Sequence, residues 1–112
     1  RRSSPRPVEE PVTTYDDGEL CIDLQSERVT RNGEAVHLTP TESQLLMYLV
    51  SNRGRIIPHK ELLIHVWGPQ YADETKYLSV YIRYLRKKIE EDPSNPRYII
   101  TKHRVGYCFA GG

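Results

Sequence analysis

Long apolar runs are missing from this chain of 112 residues, and with them any stretch of the roughly 20 residues that a membrane-crossing helix needs. No membrane partner is expected. The opening RRSSPRPVEEPVTT holds no hydrophobic segment to serve as a secretion signal, so the expected location is the cytoplasm. Cysteine is scarce: Cys21 and Cys108 stand far apart, in no CxxC pair and near no histidine cluster. That leaves a zinc site without ligands and favours two reduced thiols over a disulfide. His37, His59 and His65 show no ligand spacing with any partner, and no metal or other cofactor is expected.

Enzyme signatures are lacking as well. No glycine-rich phosphate loop precedes a helix, no nucleophile falls together with a base and an orienting acid, and no carboxylate pair stands at a plausible cleft, so catalysis is not expected. The length supports one core rather than two. Because the chain begins with Arg instead of Met, it is expected to be a fragment of something longer.

Net charge is nearly absent at +1, yet it is unevenly distributed. Residues 76–104 carry eight Lys or Arg against three acids, a balance of +5, whereas residues 7–75 carry five against twelve, a balance of −7. Such asymmetry points to a polyanion as the partner of the C-terminal part. The first six residues add three arginines. With Pro5, Pro7 and Pro11 they make residues 1–14 read as a disordered linker or tail, leaving 15–112 as the domain.

From Gly18 to Leu38 the apolar residues alternate, and Asn32-Gly33 between two such runs signals a type I′ hairpin. A small antiparallel sheet is expected there. Next, Thr39-Pro40-Thr41-Glu42 spells a capping box with Pro at the first helical position; Leu45, Leu46, Leu49 and Val50 form its core stripe, and Asn52-Arg53-Gly54 ends it. A short strand, 55–57, follows. Pro58 then opens a second helix with Leu62, Leu63 and Val66 inward, stopped by Gly68-Pro69. Residues 90–96 read as a polar turn, and Tyr98–Thr101 pairs with Tyr107–Phe109 around a tip holding Lys102, His103 and Arg104.

Between them lies the stretch Asp73–Ile89. At about 100° per residue, Leu78, Ile82, Leu85 and Ile89 share one stripe, and Lys76, Val80, Arg83 and Lys87 the opposite one. Asp73 and Glu74 are expected in its first turn, complementing the helix dipole, with Lys87 and Lys88 in its last. Val80 is the oddity, an apolar side chain within a basic face. A DNA major groove offers both phosphates for the cations and a thymine methyl for the valine. An early antiparallel sheet, three helices and a basic C-terminal hairpin together describe an α+β winged helix-turn-helix.

At this point the motifs support a family. LTPTE with Leu45-Leu46, KELLIHVWG, VYIRYLRKKIE and the final GYCF resemble the C-terminal effector domains of OmpR/PhoB-type two-component response regulators, from about Asp17 to Phe109. YLSVYIRYLRKKIEEDPSNPRYIIT is most similar to the KdpE branch, which governs a potassium-uptake operon. The resemblance implies a four-stranded N-terminal sheet, a recognition helix in the major groove and a wing in the adjacent minor groove. It implies transcription regulation by sequence-specific binding to double-stranded DNA, with two copies head-to-tail on direct-repeat promoter sites. A receiver domain, absent from this chain, would precede it, and the segment Gly68, Pro69, Gln70, Tyr71 and Ala72 matches one that contacts RNA polymerase. Two departures stand out: Ser43 replaces an aromatic residue, and Arg104 replaces the first glycine of the usual Arg-Gly-x-Gly-Tyr wing, removing a residue free to take positive φ.

The DNA-binding set is then Trp67, Lys76, Ser79, Val80, Arg83, Tyr84, Arg86, Lys87, Lys102, His103, Arg104 and Tyr107. Lys76, Arg86 and Lys87 are read as phosphate holders, and Val80, Arg83 and Tyr84 as candidate base readers. Solvated charge is the bland alternative for the cations. Packing against a neighbouring segment is the alternative for Val80, and packing on the sugar backbone is that for Tyr84. Trp67 can donate its indole N–H to a phosphate while its ring packs in the core. His103 gains a role mainly when protonated. The competing function is a winged helix that binds protein or RNA without specific DNA recognition.

Overall fold

Alternating burial builds the first half of the molecule, whose structure, a computed structural model, describes residues 13–110. Strands β1 (Thr14–Asp16), β2 (Leu20–Asp23), β3 (Arg28–Arg31) and β4 (Glu34–Val36) pair antiparallel in sequence order. Tyr15, Leu20, Ile22 and Val29 are buried on the inner face. The β3–β4 turn takes φ of 52° at Asn32 and 84° at Gly33, as the type I′ expectation requires. The expected tail lies mostly outside the described residues, and Thr14 already belongs to β1.

Helix α1 (Pro40–Ser51) starts on the expected capping box: Thr39 Oγ1 accepts from the Glu42 N–H at 3.2 Å, and Glu42 Oε1 accepts from the Thr39 N–H at 3.0 Å. Strand β5 is only Ile57–Pro58, and α2 runs from His59 to Trp67. The sequence places Pro58 inside the helix, but the structure holds it extended, at φ −60° and ψ 152°, because it pairs with Gly106. A 3-10 turn, Pro69–Tyr71, leads to α3 (Thr75–Ile89). Asp73 and Glu74 therefore precede the first turn instead of occupying it, and Glu74, at φ −87° and ψ 62°, caps without a side-chain bond. The basic last turn is present, and Leu78, Ile82, Leu85 and Ile89 are all buried.

Strands β6 (Ile99–Lys102) and β7 (Gly106–Phe109) form the hairpin, each starting one residue away from expectation. Strand β5 joins them in a second sheet of order β5-β7-β6, so the hairpin is rooted in the helical core rather than free. Tyr15 meets Tyr98 and Phe109 edge-on, with ring centroids 6.3 and 5.1 Å away, and this aromatic cluster seals the first sheet onto the hairpin's base. Ser43 is buried, and its hydroxyl donates to Glu27 at 2.9 Å, where the β2–β3 turn takes φ 57°. A polar tie to the sheet thus stands where the resemblance implies an aromatic ring.

Candidate nucleic-acid interface

Helix α3 presents its faces as its period requires. Lys76, Ser79, Arg83, Tyr84 and Lys87 are exposed, Val80 is half-buried, and the apolar stripe points into the core. Arg83 and Lys87 make no hydrogen bond or ion pair with any described residue, so their charges stay available to a partner. Ser79 Oγ donates to the Lys76 carbonyl at 3.1 Å, and its oxygen remains free to accept.

The run Arg86-Lys87-Lys88 divides by helical angle. Lys88 turns to the scaffold, where Nζ donates to Glu42 Oε1 at 2.6 Å and to the His37 carbonyl at 2.9 Å. Burial pushes the Glu42 pKa up, but the Lys88 and Thr39 bonds outweigh it and the net shift is downward. Arg86 turns to the hairpin: Nε and one Nη donate to the Ile99 carbonyl at 3.1 and 2.7 Å, and that Nη also donates to Thr101 Oγ1 at 2.8 Å. Of the three, Lys87 faces outward with no partner among the described residues. Arg86 is expected from the sequence as a phosphate holder; here its Nε and one Nη are engaged by β6, which ties α3 to the strand leading into Lys102.

At the wing, Lys102, His103 and Arg104 are exposed. Arg104 adopts φ 66°, so the turn holds a left-handed residue where the resemblance implies a glycine. Tyr107 is not on this exposed surface: it is buried in β7 between Thr101 and Ile57, 6.0 Å beneath the Arg86 guanidinium and edge-on to His59 at 5.6 Å. Burial pushes its phenol pKa up, and Arg86 partly opposes the shift. Val105 is half exposed at the hairpin tip, an apolar side chain among the wing cations.

A ladder of aromatic rings supports the N-terminal half of α3. Trp67 stacks on Tyr77 at 6.2 Å and meets Tyr81 edge-on at 5.3 Å; Tyr81 in turn meets Tyr84 at 5.4 Å. Trp67 is half-buried beneath them. Pro69, Gln70 and Tyr71 form the 3-10 turn between Gly68, at φ 115°, and Ala72, and Tyr71 leans on Tyr77 at 5.7 Å.

Glu90, which the sequence reading assigned to a polar turn, is buried at 3% exposure. Its carboxylate accepts from the backbone N–H groups of Arg97, Tyr98 and Ile99 at 2.7 to 3.1 Å. Three acids in a row, Glu90, Glu91 and Asp92, gave no local sign of which one turns inward. Among the described residues no group of His, Cys, Asp or Glu could hold a metal ion, Cys21 and Cys108 are both unpaired, and no helix is long and apolar enough to cross a membrane.

Comparison with known proteins agrees with this arrangement. Residues 33–109 match the family described as transcriptional regulatory protein, C terminal. The transcriptional regulatory protein KdpE of Mycobacterium tuberculosis is 44% identical over 109 residues, covering 97% of this chain and 47% of that protein. The chain thus spans about half the length of the curated relatives it matches. Among solved structures, DrrB of Thermotoga maritima, an OmpR/PhoB homologue, superposes with a TM-score of 0.80 at 35% identity, over 88% of this chain and 45% of that one. The RstA DNA-binding domain of Klebsiella pneumoniae, solved in complex with the RstA box, gives 0.77 at 31% identity, over 88% and 98%.

Proposed function

The chain belongs to the family of transcriptional regulatory protein C-terminal domains, of the OmpR/PhoB type, and from that premise we propose that it is the output domain of a two-component response regulator that binds double-stranded DNA sequence-specifically. One observation carries the reading: the outer stripe of α3 exposes Lys76, Arg83 and Lys87, and Arg86 ties the same helix to the strand that leads into a wing bearing Lys102, His103 and Arg104. An exposed helix of this kind fits a major groove, and a cationic hairpin next to it fits the neighbouring minor groove. In this reading Lys76 and Lys87 hold phosphates, and Val80, Arg83 and Tyr84 face base edges. The indole N–H of Trp67 and the hydroxyl of Ser79 add backbone contacts.

Further parts of the proposal follow from likeness to relatives. Two copies sit head-to-tail on direct repeats, and the segment from Gly68 to Ala72 touches RNA polymerase. A receiver domain precedes the tail of residues 1–14, and the whole works in the cytoplasm without catalytic activity of its own. Likeness to KdpE favours a potassium-uptake promoter as the target. Titration against a direct-repeat promoter duplex and a scrambled duplex, each at two salt concentrations, tests the function. Tight binding to the first alone is expected, with affinity falling steeply as salt rises. Equal weak binding to both would sink the reading in favour of a protein- or RNA-binding winged helix.

A further inference from the structure

Strand β6 is the edge of its sheet, since the order is β5-β7-β6. Its outward N–H and C=O groups therefore need partners from elsewhere. At Ile99, helix α3 and its C-cap residue Glu90 supply them with side chains. Glu90 Oε2 accepts from the Ile99 N–H at 2.9 Å, and Arg86 donates twice to the Ile99 carbonyl at 3.1 and 2.7 Å. Arg86 and Glu90 lie one helical turn apart, so their opposite charges reach the two backbone groups of a single residue, much as a neighbouring strand would. Thr101 Oγ1 receives a further bond from the same Nη, one residue before Lys102 at the wing. Charge-assisted bonds of this kind are shorter and stronger than neutral ones.

We propose that Arg86 and Glu90 are positioning residues that fix the angle and offset of the wing relative to the recognition helix, so that both enter their grooves in one docking event. The proposal rests on the DNA-binding reading above. Arg86 then contributes through geometry rather than by neutralising a phosphate: the donors on Nε and one Nη are already engaged within the protein. Two tethered contacts reinforce each other only while the link between them holds the right span. Loosening the hairpin on α3 should remove that reinforcement and leave each contact intact.

The test compares a full direct-repeat half-site duplex with one shortened to remove the minor-groove segment that the wing would enter. The parent should prefer the full duplex. Arg86→Met, Arg86→Lys and Glu90→Gln should each lose roughly tenfold on the full duplex while staying within about twofold of the parent on the short one. On the short duplex the salt slope of Arg86→Met should match that of the parent. Thr101→Val removes only one of the bonds, leaves the fold least disturbed, and should show a smaller loss of the same kind. A phosphate-holding Arg86 would behave otherwise: Arg86→Lys would bind like the parent, and Arg86→Met would lose affinity on both duplexes with a slope lower by roughly one. Either result overturns the inference, as does a parent indifferent to the shortening. A parent that binds neither duplex specifically would instead bring down the DNA-binding reading itself.

Discussion

At the scale of single residues, the basic face holds side chains with different work to do. Arg83 is exposed and unpaired among the described residues, and its planar fork can meet a guanine edge through two bonds. Arg83→Ala is expected to weaken specific binding by about 1 to 3 kcal/mol, more at some base positions than at others. An equal loss on every sequence, read by competition titration, would demote it to a phosphate contact. Tyr84, 42% exposed and braced by Tyr81, offers its ring and one hydroxyl on the same face, and in the proposed function it faces base edges. Arg104 carries a conformational cost, because a left-handed φ of 66° suits glycine and not a residue with a Cβ. Arg104→Gly should therefore raise stability by about 1 kcal/mol in urea denaturation while weakening DNA binding. A variant less stable than the parent would contradict that account.

At the scale of elements, the wing depends on how three strands fit together. A Cβ added at Gly106 would lie 1.8 Å from the Ile57 carbonyl oxygen, which is backbone and cannot step aside. This glycine is required by the close passage of β5. Gly106→Ala is expected to cost roughly 3 kcal/mol or more, seen as a lower denaturation midpoint. Only a cost below about 1 kcal/mol would show that β5 yields easily. The last turn of α3 makes a second case. Lys87→Ala should leave stability almost unchanged but weaken binding to all duplexes alike, with a salt slope lower by roughly one. Lys88→Ala should do the reverse, because it strips the partner from a carboxylate that is 5% exposed. Were Lys88→Ala to change the salt slope by as much as Lys87→Ala does, the division of the basic run would be wrong.

At the scale of the whole molecule, a polar network joins the first sheet to the hairpin across most of the chain. Asp17 accepts from the Tyr98 hydroxyl at 2.7 Å, the Tyr15 hydroxyl at 2.9 Å and the Leu20 N–H at 2.8 Å. Burial pushes its pKa up, but these bonds and one from the Glu19 N–H outweigh it and hold the group at about 2, below its ordinary 3.8. A carboxyl depressed by folding contributes stability above its unfolded value and loses it as pH falls through its folded one. The parent should thus lose stability between about pH 4 and pH 2 as Asp17 protonates. Asp17→Asn, less stable at neutral pH, should show a shallower decline over that window in denaturation at several pH values. An unchanged acid limb would show that Asp17 is not the group responsible.

Local physics made much of this legible in the sequence alone. The capping box at Thr39, the Asn32-Gly33 turn and the apolar stripe of α3 are set by neighbours within a few residues, so their signals survive without a fold. The polar stripe of α3 was legible for the same reason, and spaced motifs carried the family. Only the tertiary structure decided which cations stay free, that Glu90 is buried, that β5 roots the hairpin, and that Tyr107 turns inward. Each of these depends on what lies across from a residue in space. Arg86, Lys87 and Lys88 are alike in sequence, but about 100° of helical rotation apiece sends them to β6, to solvent and to Glu42.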